Sequence, residues 1–124
     1  LNRYSIVLGL AGAAAAVGAL AGEVTVVDAR ATPMGSGTYR FEVTLEHADT
    51  GWDHYADRWD VVGPNGDVLG SRTLYHPHVD EQPFTRSLSG VRIPKETKRV
   101  DIRAHDSVHG DTETVFPVEL PAAP

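Results

Sequence analysis

Cysteine is absent from all 124 residues. That removes disulfides, thiolate metal centres, cysteine nucleophiles and lipid attachment on a cysteine from the functions these residues can support. Lysine is almost as scarce, with only Lys95 and Lys98. No basic stripe exists to displace counterions, so nucleic-acid binding is excluded and docking on anionic lipid is disfavoured. Aromatic residues are few, three Phe, four Tyr and two Trp, so each is expected to hold a definite place. The chain also lacks a nucleophile elbow, a Walker loop, a dinucleotide fingerprint and a His-Glu-x-x-His helix. An enzymatic function therefore has no motif behind it. There is no long helical periodicity after residue 22 and no internal repeat.

What is present begins with a leader. Arg3 supplies a positive start, Ile6 to Leu20 is an uncharged Ala/Gly/Leu-rich run, and Ala19-Leu20-Ala21 gives the small-x-small pattern a signal peptidase accepts. Residues 1–21 thus read as a signal peptide cleaved before Gly22. Retention as an anchor helix is the competing reading, and the run is short and weakly apolar for that. Export places the rest in the periplasm or outside the cell, with no membrane attachment after cleavage. Setting Arg3 aside leaves ten basic against seventeen acidic side chains, a net charge of −7. An acidic surface of this kind suits small cations or a basic partner.

Residues 22–121 read as one domain, with 122–124 a frayed tail. Short stretches of two-residue alternation are broken by Gly, Pro, Asn and Asp, the grammar of strands and turns. In the clearest, Thr38 to Glu46, Tyr39, Phe41, Val43 and Leu45 face one way and the charged residues the other. Further strands are expected at about 23–31, 55–62, 67–75, 84–93, 98–104 and 112–120, with Gly90 as a bulge that re-phases Val91 and Ile93. The expected core is Tyr39, Phe41, Val43, Leu45, Trp59, Val61, Leu88, Val100, Ile102, Phe116 and Val118.

Seven such strands predict an all-β, antiparallel, two-sheet sandwich. The pattern, with Trp59 in the third strand, resembles immunoglobulin-like and fibronectin-III-like domains over about residues 23–120. The cysteine pair and the tyrosine corner of those domains are missing, so the resemblance implies an architecture and no functional residue.

The six histidines carry the functional signal. His47 and His54 bracket the second connection, His76 and His78 lie in the fourth, and His105 and His109 belong to the sixth. The first, third and fifth connections have none. Alternate connections of an antiparallel sandwich emerge at the same end, so all six are predicted at one pole. Neutral imidazoles gathered there are ligands for Cu²⁺ or Zn²⁺. Asp53, Asp80 and Asp106, in the same loops, are expected to orient them from behind. His76-Pro77-His78 is the expected anchor, since histidines two apart on extended backbone point the same way about 6.5 Å apart. His105 and His109 follow as the next ligands, with His47 and His54 completing or flanking the shell. Calcium is a lesser fit, because no Asp-x-Asp-x-Asp-Gly loop is present.

Two other readings compete. The histidines and acids can simply pair and rigidify the pole. Alternatively the domain is a non-enzymatic module that binds a protein, peptide or glycan through these loops, where Trp52, Tyr55 and Tyr75 sit beside histidines. For Trp52 and Tyr55 the plainer expectation is that they cap the end of the core.

Overall fold

Alternation along one strand organises the molecule. In a computed structural model, which describes residues 23–122, Phe41, Val43 and Leu45 of β2 (Thr38–Glu46) are fully or almost fully buried while their neighbours are not. β2 lies between β1 (Thr25–Gly35) and β5 (Phe84–Arg92), both antiparallel to it, in a three-stranded sheet. The second sheet is built on β3 (Ala56–Val62) and β6 (Arg99–Asp106), with β4 (Val68–Thr73) outside β3. Two further segments, β7 (Gly110–Asp111) and β8 (Phe116–Glu119), both pair with β6. The expected signal peptide and its cleavage point at Gly22 lie outside the described residues, as does the end of the tail.

The core fills the space between the sheets. Phe41, Val43, Leu45, Trp59, Val61, Val100, Ile102 and Val118 are buried in it, and Tyr39, Leu88 and Phe116 pack partly buried against it. Val24, Ala56, Leu74, Phe84, Val91, Ile93 and Ala104 complete it. At 25–30 cal/mol per Å² of apolar surface, burial of side chains as large as Trp59 and Phe41 stabilises by about 2–3 kcal/mol each. Gly90 forms the expected bulge. Its φ is +72°, and two residues of β5, Ser89 and Gly90, stand against the single Arg40 of β2 between the Tyr39–Val91 and Phe41–Leu88 pairs. The extra residue re-phases β5, so that Val91 and Ile93 turn inward.

Three local expectations change. The first strand does not stop at Pro33 but runs through it to Gly35, with Pro33 opposite Tyr39, and as an edge strand β1 tolerates a proline because only one of its sides carries a ladder. The final strand is not continuous from 112. The chain pairs at 110–111, leaves β6 and returns at 116–119. The sixth strand extends two residues further than its hydrophobic pattern, through His105 to Asp106. That extension decides which of its polar residues face the site.

Candidate metal centre

The second, fourth and sixth connections meet at one end of the sandwich. Tyr55 N donates to Ser107 Oγ at 3.1 Å and Ser107 N to Tyr55 O at 3.0 Å, joining the second connection to the sixth. His78 N donates to Asp49 Oδ2 at 2.7 Å, joining the fourth to the second. Each histidine-bearing loop therefore touches another through hydrogen bonds.

The alternation of β2 carries on past its end. Phe41, Val43, Leu45, His47 and Asp49 are all buried, with the residues between them more exposed. His47 and Asp49 thus enter the end of the core on the same register as the hydrophobic residues. A tight turn, with Thr50 N donating to His54 O at 3.0 Å and Gly51 at a φ of +140°, then folds His54 back. Its ring meets that of His47 edge-on, with centroids 4.7 Å apart.

From the other sheet β6 alternates in the same way. Val100, Ile102, Ala104 and Asp106 face inward, while Asp101, Arg103 and His105 face out. Asp106 Oδ1 caps the following turn by accepting from Val108 N at 2.9 Å and His109 N at 2.5 Å. Its Oδ2 points at the histidines. His47 Nε2 lies 3.3 Å from it, His54 Nε2 3.4 Å and His109 Nδ1 3.0 Å.

Among the described residues, His47, His54 and Asp106 are the one group of three whose ligand atoms all lie within 4.8 Å of one another. Bonds of about 2.0–2.1 Å to a tetrahedral ion place neighbouring ligand atoms about 3.3–3.4 Å apart. The two histidine–carboxylate separations match that spacing.

Hydrogen-bond roles decide which ring nitrogen of His47 faces Asp106. Asp49, as a carboxylate, only accepts, so the 2.5 Å contact to its Oδ1 places the proton of His47 on Nδ1. The other ring nitrogen, Nε2, faces the carboxylate oxygen of Asp106. Across that 3.3 Å gap either a proton or a metal ion can join the nitrogen to the oxygen. His54 Nε2 is buried and has no hydrogen bond. Burial by itself would push the Asp106 carboxyl up. The N–H and ring of His109, the N–H of Val108 and the His54 ring outweigh it, and the pKa is lowered to about 2. Asp106 is an anion at any physiological pH.

The remaining expected ligands lie elsewhere. His76 and His78 are close to each other, with centroids 4.7 Å apart, but His76 is exposed and His78 is stacked on Phe84 at 3.9 Å. Arg86 Nη2 donates to His78 Nε2 at 2.8 Å. Burial, then the electrostatic influence of Arg86 and of the neighbouring His76, lower the His78 pKa against the opposing pull of Asp49 and Glu81. A ring facing a guanidinium is a poor place for a further cation. His105 does not converge with His109. It sits on the outer face of β6, where its Nδ1 pairs with Asp57 Oδ1 at 2.5 Å. Of the three acids expected to orient ligands, Asp53 and Asp80 are exposed, and Asp106 instead offers a ligand atom directly. The carboxylate that contacts a ring of the group from behind is Asp49, at His47 Nδ1. Trp52 does not cap the core: it is 67% exposed and meets Tyr55 edge-on with centroids 5.5 Å apart.

No protein-family model matches the chain, and no solved structure matches it. A protein of Halomicrobium mukohataei that carries the provisional name of lipoprotein is 44% identical over 88 residues, or 71% of this chain and 43% of that protein. The chain spans less than half the length of this curated relative. Among the described residues no helix is long and apolar enough to cross a membrane.

Proposed function

We propose that this chain is an exported β-sandwich domain that binds one divalent ion, Zn²⁺ or Cu²⁺, through His47, His54 and Asp106. The observation that carries the proposal is the convergence of two imidazole nitrogens on one buried carboxylate oxygen at 3.3 and 3.4 Å. The burial of His54 Nε2 without a hydrogen bond supports it. A nitrogen and oxygen donor set without sulfur suits both ions. His109, held on Asp106 at the outer side, is the nearest candidate for a fourth ligand. The pair His76 and His78 and the outward His105 stand behind this group in rank.

Export is supported by the leader-like residues 1–21 and by the name of the Halomicrobium protein. The sandwich reading in the fibronectin-III manner is supported by the strand order, β1-β2-β5 against β4-β3-β6 with β8 beyond. A second reading, a module that docks a protein or glycan, is favoured by one feature. Trp52 and Tyr75, 67% and 74% exposed, both lie on the histidine-bearing connections.

Calorimetric titration of tag-free, metal-stripped protein with Zn²⁺ and Cu²⁺ tests the first reading. One ion per chain is expected, with a Kd below about a micromolar. Binding is expected to be lost in His54→Ala and Asp106→Asn and kept in the His76→Ala/His78→Ala double variant. Failure of the parent to bind either ion would make the cluster structural and leave the docking module in its place.

A further inference from the structure

We infer that Asp49 is the positioning residue of this centre and the link by which ion occupancy is transmitted to the β4–β5 connection, an inference that rests on the metal-binding reading above. The side chains of Asp49 and His47 are both fully buried. One carboxylate oxygen, Oδ1, accepts from His47 Nδ1 at 2.5 Å and from Ala56 N at 3.1 Å. The other, Oδ2, accepts from His78 N at 2.7 Å. A single buried anion therefore sets the tautomer and ring angle of a ligand on one side and holds the backbone of a separate loop on the other.

A second strap runs parallel to the first. Gln82 Oε1 accepts from His47 N at 3.0 Å, and Gln82 Nε2 donates to His78 O at 2.8 Å. His47 and His78, 31 positions apart in the chain, are thus tied through two side chains. The ring of His78 then lies flat on the core residue Phe84, with 11° between the planes. A displacement of the β4–β5 connection at His78 N breaks its bond to Asp49, the same side chain that holds Nδ1 of His47.

The chemistry of coordination makes the link two-way. An ion on Nε2 withdraws electron density from the imidazole, so Nδ1–H becomes a stronger donor and its bond to Asp49 tightens. The carboxylate is then held more firmly against His78 N. By linkage, whatever orders the connection also favours the ion, and whatever opens it releases the ion.

The test uses the whole chain with Zn²⁺ and Cu²⁺ as the probes in calorimetry, and with diamagnetic Zn²⁺ in nitrogen-15 NMR. Loading the parent is expected to slow exchange of the His78 amide by about tenfold or more. Asp49→Asn is expected to weaken Zn²⁺ binding by about 10–100-fold, as removal of an outer-shell carboxylate does, and to abolish the added protection of His78 even when saturated. A parent that binds Zn²⁺ while its His78 amide is indifferent to the ion would overturn the inference and leave the metal site standing. So would an Asp49→Asn variant that binds as tightly as the parent. A parent that binds neither ion brings down both. Should Asp49→Asn not fold, the ring nitrogens of His47 in the loaded parent decide the matter. Nδ1 protonated and Nε2 bound is the expected state, and the reverse tautomer refutes the role given to Asp49.

Discussion

Truncating His54 and truncating His47 should have opposite signatures, because the two rings are held by different things. His54 Nε2 makes no hydrogen bond and its side chain is 21% exposed. In metal-free protein His54→Ala loses ring packing and the 3.4 Å contact to Asp106, together worth about 1 kcal/mol. His47 is fully buried and holds Asp49. Its removal leaves a cavity and a carboxylate oxygen short of a donor, at a cost of about 3 kcal/mol or more. Added Zn²⁺ changes the balance. At a free concentration one hundred times its Kd, an ion that binds only the folded state stabilises the parent by about 2.7 kcal/mol. For a domain of this size that raises Tm by roughly 11–22 °C. His54→Ala should lose nearly all of that increment while behaving almost like the parent in EDTA. His47→Ala should be strongly destabilised in both conditions. Thermal unfolding followed by circular dichroism, with EDTA and then with Zn²⁺, measures both. An equal loss for His54→Ala with and without the ion would refute the assignment. So would a variant that keeps the full Zn²⁺-dependent rise in Tm.

Three other outcomes are expected. Phe41→Ala should cost ~3–5 kcal/mol in chemical denaturation, and a loss below about 1 kcal/mol would contradict the burial of Phe41 between the sheets. His78 has its pKa lowered by burial and by Arg86 and His76, so the folded state disfavours its proton. Its contribution is complete above the unfolded value of 6.5 and is lost as the pH falls below that toward the lowered value. In metal-free protein the stability difference between the parent and His78→Phe should therefore shift against the parent from pH 7.5 to pH 5, and a constant difference would count against this account. Exported material should begin at Gly22 on N-terminal sequencing, and a start near Leu1 would refute cleavage after Ala21.

Much of the site lay open to a reader of the alternation. Tyr39 to Leu45 set a period of two, and that period continued through His47 to Asp49 names the two buried polar residues of the second connection. Likewise Val100, Ile102 and Ala104 continued by two residues give Asp106 inward and His105 outward. Stopping each strand at its last hydrophobic residue hides this, since polar side chains at strand ends look like loop residues. The spacing of His76 and His78 draws attention for the opposite reason. It is a property of extended backbone alone and takes no account of the Arg86 and Phe84 that fold against it.

The sequence by itself determined the strand grammar, the inward-facing hydrophobic residues, the bulge at Gly90 and the gathering of histidine-bearing connections at one end. These follow from chain-local rules, namely the two-residue period of a strand, turn chemistry and the reversal of successive antiparallel strands. Only the tertiary structure decided which histidines meet. His47 and His54 come from one sheet's exit loop, Asp106 from the end of the other sheet and Asp49 from between them. Their contact depends on how the two sheets stack and how far each strand extends. Imidazole–carboxylate bonding acts over about 3 Å, whereas sequence pattern locates a loop only to within a few residues, and one residue along a strand turns a ligand from the core to solvent.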